Sequence, residues 1–219
     1  MSGFGGAYAR AIINQMTGKA AIGPAPTALF VGLLITPPND AGAGAVEVTG
    51  SGYARMEIDP ADWAAASGDA PAGAANTVQK VFGTSTGDWT AGGTTPITAI
   101  GLYAAATGGS PIKWDWAGGF AWQPFYCSAA SPGVFSVAAH GFSNGDKVIP
   151  SAEFTGTLPA QAGSWSGLQT VAGVTTDTFN LGVNTTVSGG GLIKKVVPQL
   201  VSNNQRAVFD IGTLLSQVS

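Results

Sequence analysis

Few side chains in this sequence have the type and spacing to do chemistry, and each also has a plain structural role open to it. The single histidine, His140, precedes Gly141 in a turn-rich stretch. A zinc site takes three or four convergent ligands, and a nucleophilic site takes a positioned base with its own orienting group. The chain offers only one cysteine, Cys127, and scattered carboxylates, so a turn histidine is expected, with neither a metal site nor a Cys127–His140 pair. Glu57, Asp59 and Asp62 cluster around Pro60, where the two carboxylates of a glycoside hydrolase are conceivable. Such pairs act only at a defined separation across a groove, and aspartates beside a proline more commonly cap turns. Asp146 and Asp177 lack the spaced Asp/Asn run of a calcium loop, so turn capping is again expected. Gly163-Ser164-Trp165-Ser166-Gly167 has the outline of a nucleophile elbow, but Trp165 stands where serine must be. Gly3-Phe4-Gly5-Gly6 follows no strand and cannot be a dinucleotide loop. The reading is of a chain with no catalytic residues, no metal and no cofactor.

What remains is a chain built for contact. Charged residues are 10% of its 219 residues, against roughly 25% in an average globular protein. So few charges leave a surface of small and polar residues, or one covered by partners, which favours oligomers. The 33 glycines are balanced by 6 tryptophans, 10 phenylalanines and 4 tyrosines, enough large apolar area to argue for order. A net charge of −3 provides no basic stripe, so no nucleic-acid partner is expected. No signal peptide and no membrane insertion are expected either, since Gly32 breaks the best apolar run, Ala28 to Ile35.

The elements follow from period and punctuation. Tyr8, Ile12 and Met16 recur at helical spacing before Gly18, which predicts a helix from about Gly6 to Thr17 lying across a sheet. Ala28 to Ile35 reads as a strand followed by a loop through Pro37 to Gly42. In Tyr53 to Ile58, alternation predicts a strand with Tyr53, Arg55 and Glu57 on its wet face. The small-residue tract from Asp59 to Ala75 reads as a surface loop anchored by Trp63. Sheet texture resumes at Thr77 to Phe82, Ile97 to Ala104 and Ile112 to Trp116, with Thr107-Gly108-Gly109-Ser110 as a turn. The tract Trp114 to Tyr126 is a candidate for core or subunit contact. Asn144-Gly145 supplies a tight turn before a strand at Val148-Ile149, and Thr176-Asp177 turns the chain before Thr178, Phe179 and Leu181. Gly189-Gly190-Gly191 reads as a hairpin turn.

Two of these segments, Ala139-His140-Gly141-Phe142-Ser143-Asn144-Gly145-Asp146-Lys147-Val148 and Val174-Thr175-Thr176-Asp177-Thr178-Phe179-Asn180-Leu181, resemble a small β module found inside bacteriophage virion proteins. The flanking sequence resembles a family of phage virion proteins described as tail-fibre-like. The likeness rests on the Ala28–Leu34 strand, the Asp40-Ala41-Gly42 turn, Glu47-Val48, Gly52-Tyr53-Ala54-Arg55, Ile100 to Gly109, Trp114-Asp115-Trp116 and the closing Ala207 to Gly212. The family pattern runs from its Trp-containing strand to its closing strand without the long segment that intervenes here. Residues 1–126 and 197–219 are therefore expected to form the host β domain, with 127–196 as an inserted module at a hairpin tip.

The expected fold class is mainly β. It comprises a β-sandwich or jelly-roll-like host domain with one N-terminal helix and a small inserted β-barrel-like or sandwich module. The resemblance implies a non-enzymatic structural protein on the virion surface, either as a capsid decoration or cement protein or as a tail-fibre or baseplate component. Its partners would be the major capsid protein or tail proteins and further copies of itself, a trimer being one such oligomer. A host-surface glycan is the alternative partner, with Trp165 and Phe142 as its contacts.

Overall fold

The computed structural model describes residues 3–4, 6–21, 27–39, 43–67, 72–89, 96–118, 121–152, 157–161, 165, 167–209 and 215–218. It is mainly β, with antiparallel sheets and one α-helix among the described residues. The chain divides into two compact units, Ser2–Ala117 with Gln199–Ser219, and Gly118–Pro198.

The first unit begins with β1 (Gly3–Phe4) and α1 (Gly6–Met16). Gly18, at φ 67°, follows the helix in the left-handed conformation that suits a helix end. Ile13 and Met16 are nevertheless 59% and 81% exposed, so the last turn of α1 does not bury its apolar side chains in a sheet as its spacing predicts. Next come β2 (Leu29–Thr36), β3 (Val46–Glu47) and β4 (Met56–Ile58). The 3-10 turn Pro60–Asp62 precedes β5 (Ala72–Ala75), β6 (Lys80–Val81), β7 (Ala99–Tyr103) and β8 (Lys113–Trp116). The main sheet has the order β1-β8-β7-β2-β3, with β4 also paired to β2.

Register sets its two faces. Val31 opposes Leu102 and Leu33 opposes Ile100, and these residues pack with Val48, Ile58, Phe82, Trp89, Ile97 and Val201 in one apolar cluster. The alternate pairs, Phe30 with Tyr103, Gly32 with Gly101 and Leu34 with Ala99, point to the opposite face. Leu34 and Tyr103 are buried there as well. The continuous apolar run of β2 is thus that of a strand covered on both sides.

The second unit contains β9 (Gln123–Cys127), β10 (Val134–Ser136), β11 (Lys147–Ser151), β12 (Ala160–Gln161), β13 (Gln169–Thr170), β14 (Thr178–Asn180), β15 (Thr185–Val187) and β16 (Gly189–Val196). Six of these make one sheet of order β13-β11-β16-β9-β10-β14. Ala172 and Asn180 then exchange backbone hydrogen bonds of 2.9 and 2.8 Å, a single bridge that links the two ends of that order into a barrel-like sheet. The interior holds Phe125, Cys127, Phe135, Val137, Phe142, Val148, Val171, Phe179, Leu181 and Ile193. Strand β9 alternates Phe125 and Cys127 inward with Tyr126 outward. It therefore belongs to this barrel although it starts before residue 127.

After the barrel, β17 (Val208–Phe209) pairs with β6 and β18 (Leu215–Val218) pairs with β5. Part of the Asp59–Ala75 tract is therefore strand rather than loop, because the distant β18 supplies a ladder that its weak β propensity does not signal. The Asp40-Ala41-Gly42 turn and the end of the Ala207–Gly212 segment lie outside the described residues.

Gly189-Gly190-Gly191 is not a turn. It opens β16, paired with Cys127, Tyr126 and Phe125. A Cβ at Gly191 would run into the Ser151 carbonyl oxygen, and one at Gly189 into the Thr157 carbonyl oxygen. Close backbone approach explains these glycines better than hairpin geometry does.

Candidate functional site

The most elaborate polar arrangement in the first unit forms where β2, β3, β7 and the segment before β4 meet. Gly32 and Gly101 lie opposite each other on β2 and β7. A Cβ on either would sit 2.7–2.8 Å from Cε2 of Tyr103, so the missing side chains leave room for that ring across both strands. The Arg55 guanidinium lies over the ring at 3.4 Å from its centroid, a stacking geometry suited to a planar cation.

Glu47 completes the cluster. Arg55 Nε donates to Glu47 Oε1 at 2.9 Å and Nη2 donates to Oε2 at 2.7 Å, while the Tyr53 hydroxyl donates to Oε1 at 2.8 Å. The Tyr53 oxygen in turn accepts the Leu33 N–H of β2 at 2.8 Å. Arg55 Nη1 spends its donors on the carbonyls of Ala105 and Gly108, both at 2.8 Å, at the exposed β7–β8 turn. One guanidinium thereby ties β3, β7 and that turn together.

The side chain of Arg55 is 5% exposed and that of Glu47 21%, which overturns the wet face expected for Tyr53 and Arg55. Alternation holds at Glu57, which is exposed, and Ile58, which is buried, but fails at Ala54, which is exposed while Tyr53 and Arg55 turn toward Glu47. Burial alone would lower the Arg55 pKa, but the hydrogen bonds and charge of Glu47 outweigh it and raise it. Burial, reinforced by Glu47, pushes the Tyr103 phenol up to about 12 and Tyr53 higher still. With both Glu47 oxygens accepting from Arg55 and Tyr53, the cluster is arranged to hold backbone in place rather than to move protons.

The residues singled out for chemistry fall elsewhere. His140 is 5% exposed; its Nδ1 accepts the Phe142 N–H at 2.9 Å, and its ring packs on Phe142 and Phe179. Its Nε2 is one of three buried side-chain nitrogens without a hydrogen-bond partner among the described residues, with Nε1 of Trp63 and Trp116. Cys127 is fully buried, and burial pushes its thiol up, the opposite of an activated nucleophile. Asp62 pairs with Lys80 and accepts the Asp59 N–H at 3.2 Å. Asp146 accepts the Ser143 N–H at 2.8 Å and pairs with Lys195 at 2.7 Å, and Asp177 accepts the Ala139 N–H at 2.8 Å. Asp62, Asp146 and Asp177 are thus each engaged in a turn or an ion pair. No group of three or more potential metal ligands occurs among the described residues.

Phe142 is 6% exposed in the barrel core. Trp165 packs edge-on to Phe135 at 5.7 Å, and its Nε1 donates to the Pro159 carbonyl at 2.8 Å. The rings of both are engaged with neighbouring side chains, as the core of a small module requires.

Sequence reading missed the Arg55 cluster as a unit, although Glu47, Gly52–Arg55 and Ile100–Gly109 carry the phage resemblance. Scarcity of charge was the available signal, since a Glu and an Arg among mostly uncharged neighbours invite pairing. The family model described as podophage GP4 fiber I protein gp80 matches residues 4–116, slightly more than half of the chain and the span that holds every member of the cluster. No curated protein matches the chain.

Proposed function

Because the chain belongs to the podophage GP4 fiber I protein gp80 family, we propose that it is a non-enzymatic structural component of the tail fibre of a podophage particle, held there by protein–protein contacts. The family match over residues 4–116 carries this reading. The Arg55 cluster supports it, because a buried bidentate ion pair used to tie strands to a turn contributes geometry rather than reactivity. The exposed Ile13, Met16, Val81 and Val208 offer apolar area for contacts with other virion proteins or with further copies of the chain.

Capsid decoration or cementing is the competing placement, favoured by the lack of any heptad or collagen-like repeat able to build a shaft. Electron cryomicroscopy of the intact particle separates the two. Density for this chain at the tail is the expected result. Density over the capsid lattice replaces the fibre placement with decoration, and absence of the chain from the particle sinks the virion reading altogether.

A further inference from the structure

We infer that the barrel unit, Gly118–Pro198, is an autonomous cassette that unfolds without unfolding the unit into which it is inserted. Three independent observations carry this. The two apolar clusters share no residue, since one lies entirely within Phe125–Ile193 and the other is drawn from Val31–Leu102, Val201 and Ala207. Strand pairing among the described residues also stays within each unit. Moreover, the Ala172–Asn180 bridge links the two ends of the barrel sheet to each other, so that the pairing there is supplied from within the unit.

The points of entry and exit fit the same conclusion. Ala117 N–H donates to the Thr98 carbonyl at 2.8 Å, and Gln199 exchanges bonds of 2.7 and 2.9 Å with Ile97. The residues on either side of the insertion are therefore fastened to consecutive positions, Ile97 and Thr98, of the host segment leading into β7. Melting everything between them leaves both fastenings in place. Holding the ends of the resulting long loop together costs the host an appreciable entropy, a cost that rises only slowly with loop length.

The test is differential scanning calorimetry on the full chain with one methyl removed from each core. Ile193 in the barrel and Ile58 in the host are both 0% exposed, and isoleucine-to-valine changes of this kind are mild enough to preserve folding. Ile193→Val is expected to lower one transition by roughly 4–8 °C while the other stays within about 1 °C of the parent. Ile58→Val is expected to do the reverse, with a smaller shift in the larger unit. If the two parent transitions coincide, each substitution splits the peak. A single transition that both substitutions move together overturns the inference.

Discussion

Arg55 and Glu47 meet through two parallel hydrogen bonds of 2.9 and 2.7 Å, with the guanidinium resting on Tyr103. Removing charges from water is costly, and a buried pair seldom adds net stability over a well-packed apolar substitute. What such a pair contributes is direction. The remaining donors of Arg55 can reach Ala105 and Gly108 only while Glu47 holds the guanidinium plane.

Breaking one partner should therefore cost more than the pair contributes. Glu47→Gln leaves the guanidinium buried without its counter-charge, and a loss of about 3–5 kcal/mol is expected in urea unfolding of the host unit. Arg55→Lys keeps the charge but loses the fork, so it should be clearly destabilising too. Loss of less than about 1 kcal/mol in both variants would mean that the pair behaves like an exposed one.

Alkaline pH tests the same cluster from another side. The folded pKa values of Tyr53 and Tyr103 lie above the ordinary value of 10. Above pH 10 the unfolded chain loses phenolic protons that the folded chain keeps, so this contribution is present below pH 10 and falls away as pH rises toward 12. Between pH 9 and 11 each tyrosine should account for on the order of 1 kcal/mol of lost stability. Tyr53→Phe should flatten part of that slope, and an unchanged slope would show that other groups set it.

Glycine 191 provides a packing test. Its strand runs so close to Ser151 that an added methyl meets a carbonyl oxygen, whereas nothing lies within 4 Å of the corresponding position at Gly83. Gly191→Ala should destabilise the barrel by about 1–3 kcal/mol, while Gly83→Ala should be near neutral or stabilising by up to about 1 kcal/mol. Equal effects in chemical denaturation would count against close approach as the reason for the glycine.

Trp165→Ala distinguishes core packing from ligand recognition. Because the ring packs on Phe135 and its Nε1 is bonded to Pro159, truncation should lower barrel stability by about 2 kcal/mol. Host adsorption should then decline only with the folded fraction. Lost adsorption at an unchanged melting temperature would restore Trp165 as a contact residue.

Local signals in the chain proved informative where local physics decides. The helix from Gly6, the turn at Asn144-Gly145 and the Thr178–Asn180 strand after Thr176-Asp177 follow from periodicity and from backbone angles that certain residues tolerate. The mainly β class and the phage-fibre resemblance were legible for the same reason, because their motifs are short and contiguous. The Arg55 cluster was not, although its members lie within those motifs. Its partners Ala105 and Gly108 stand 50 and 53 residues away along the chain, beyond the reach of any alternation rule.

By itself, the sequence determined the mainly β class, the Asn144-Gly145 turn and the segments that carry the family pattern, since those depend on each residue and its immediate neighbours. Tertiary structure alone decided that Arg55 faces inward, that three consecutive glycines lie in a strand and that an alanine-rich tract pairs with β18. In each case a distant backbone or counter-charge changes the free energy of a local choice, and only the folded chain brings that partner within reach.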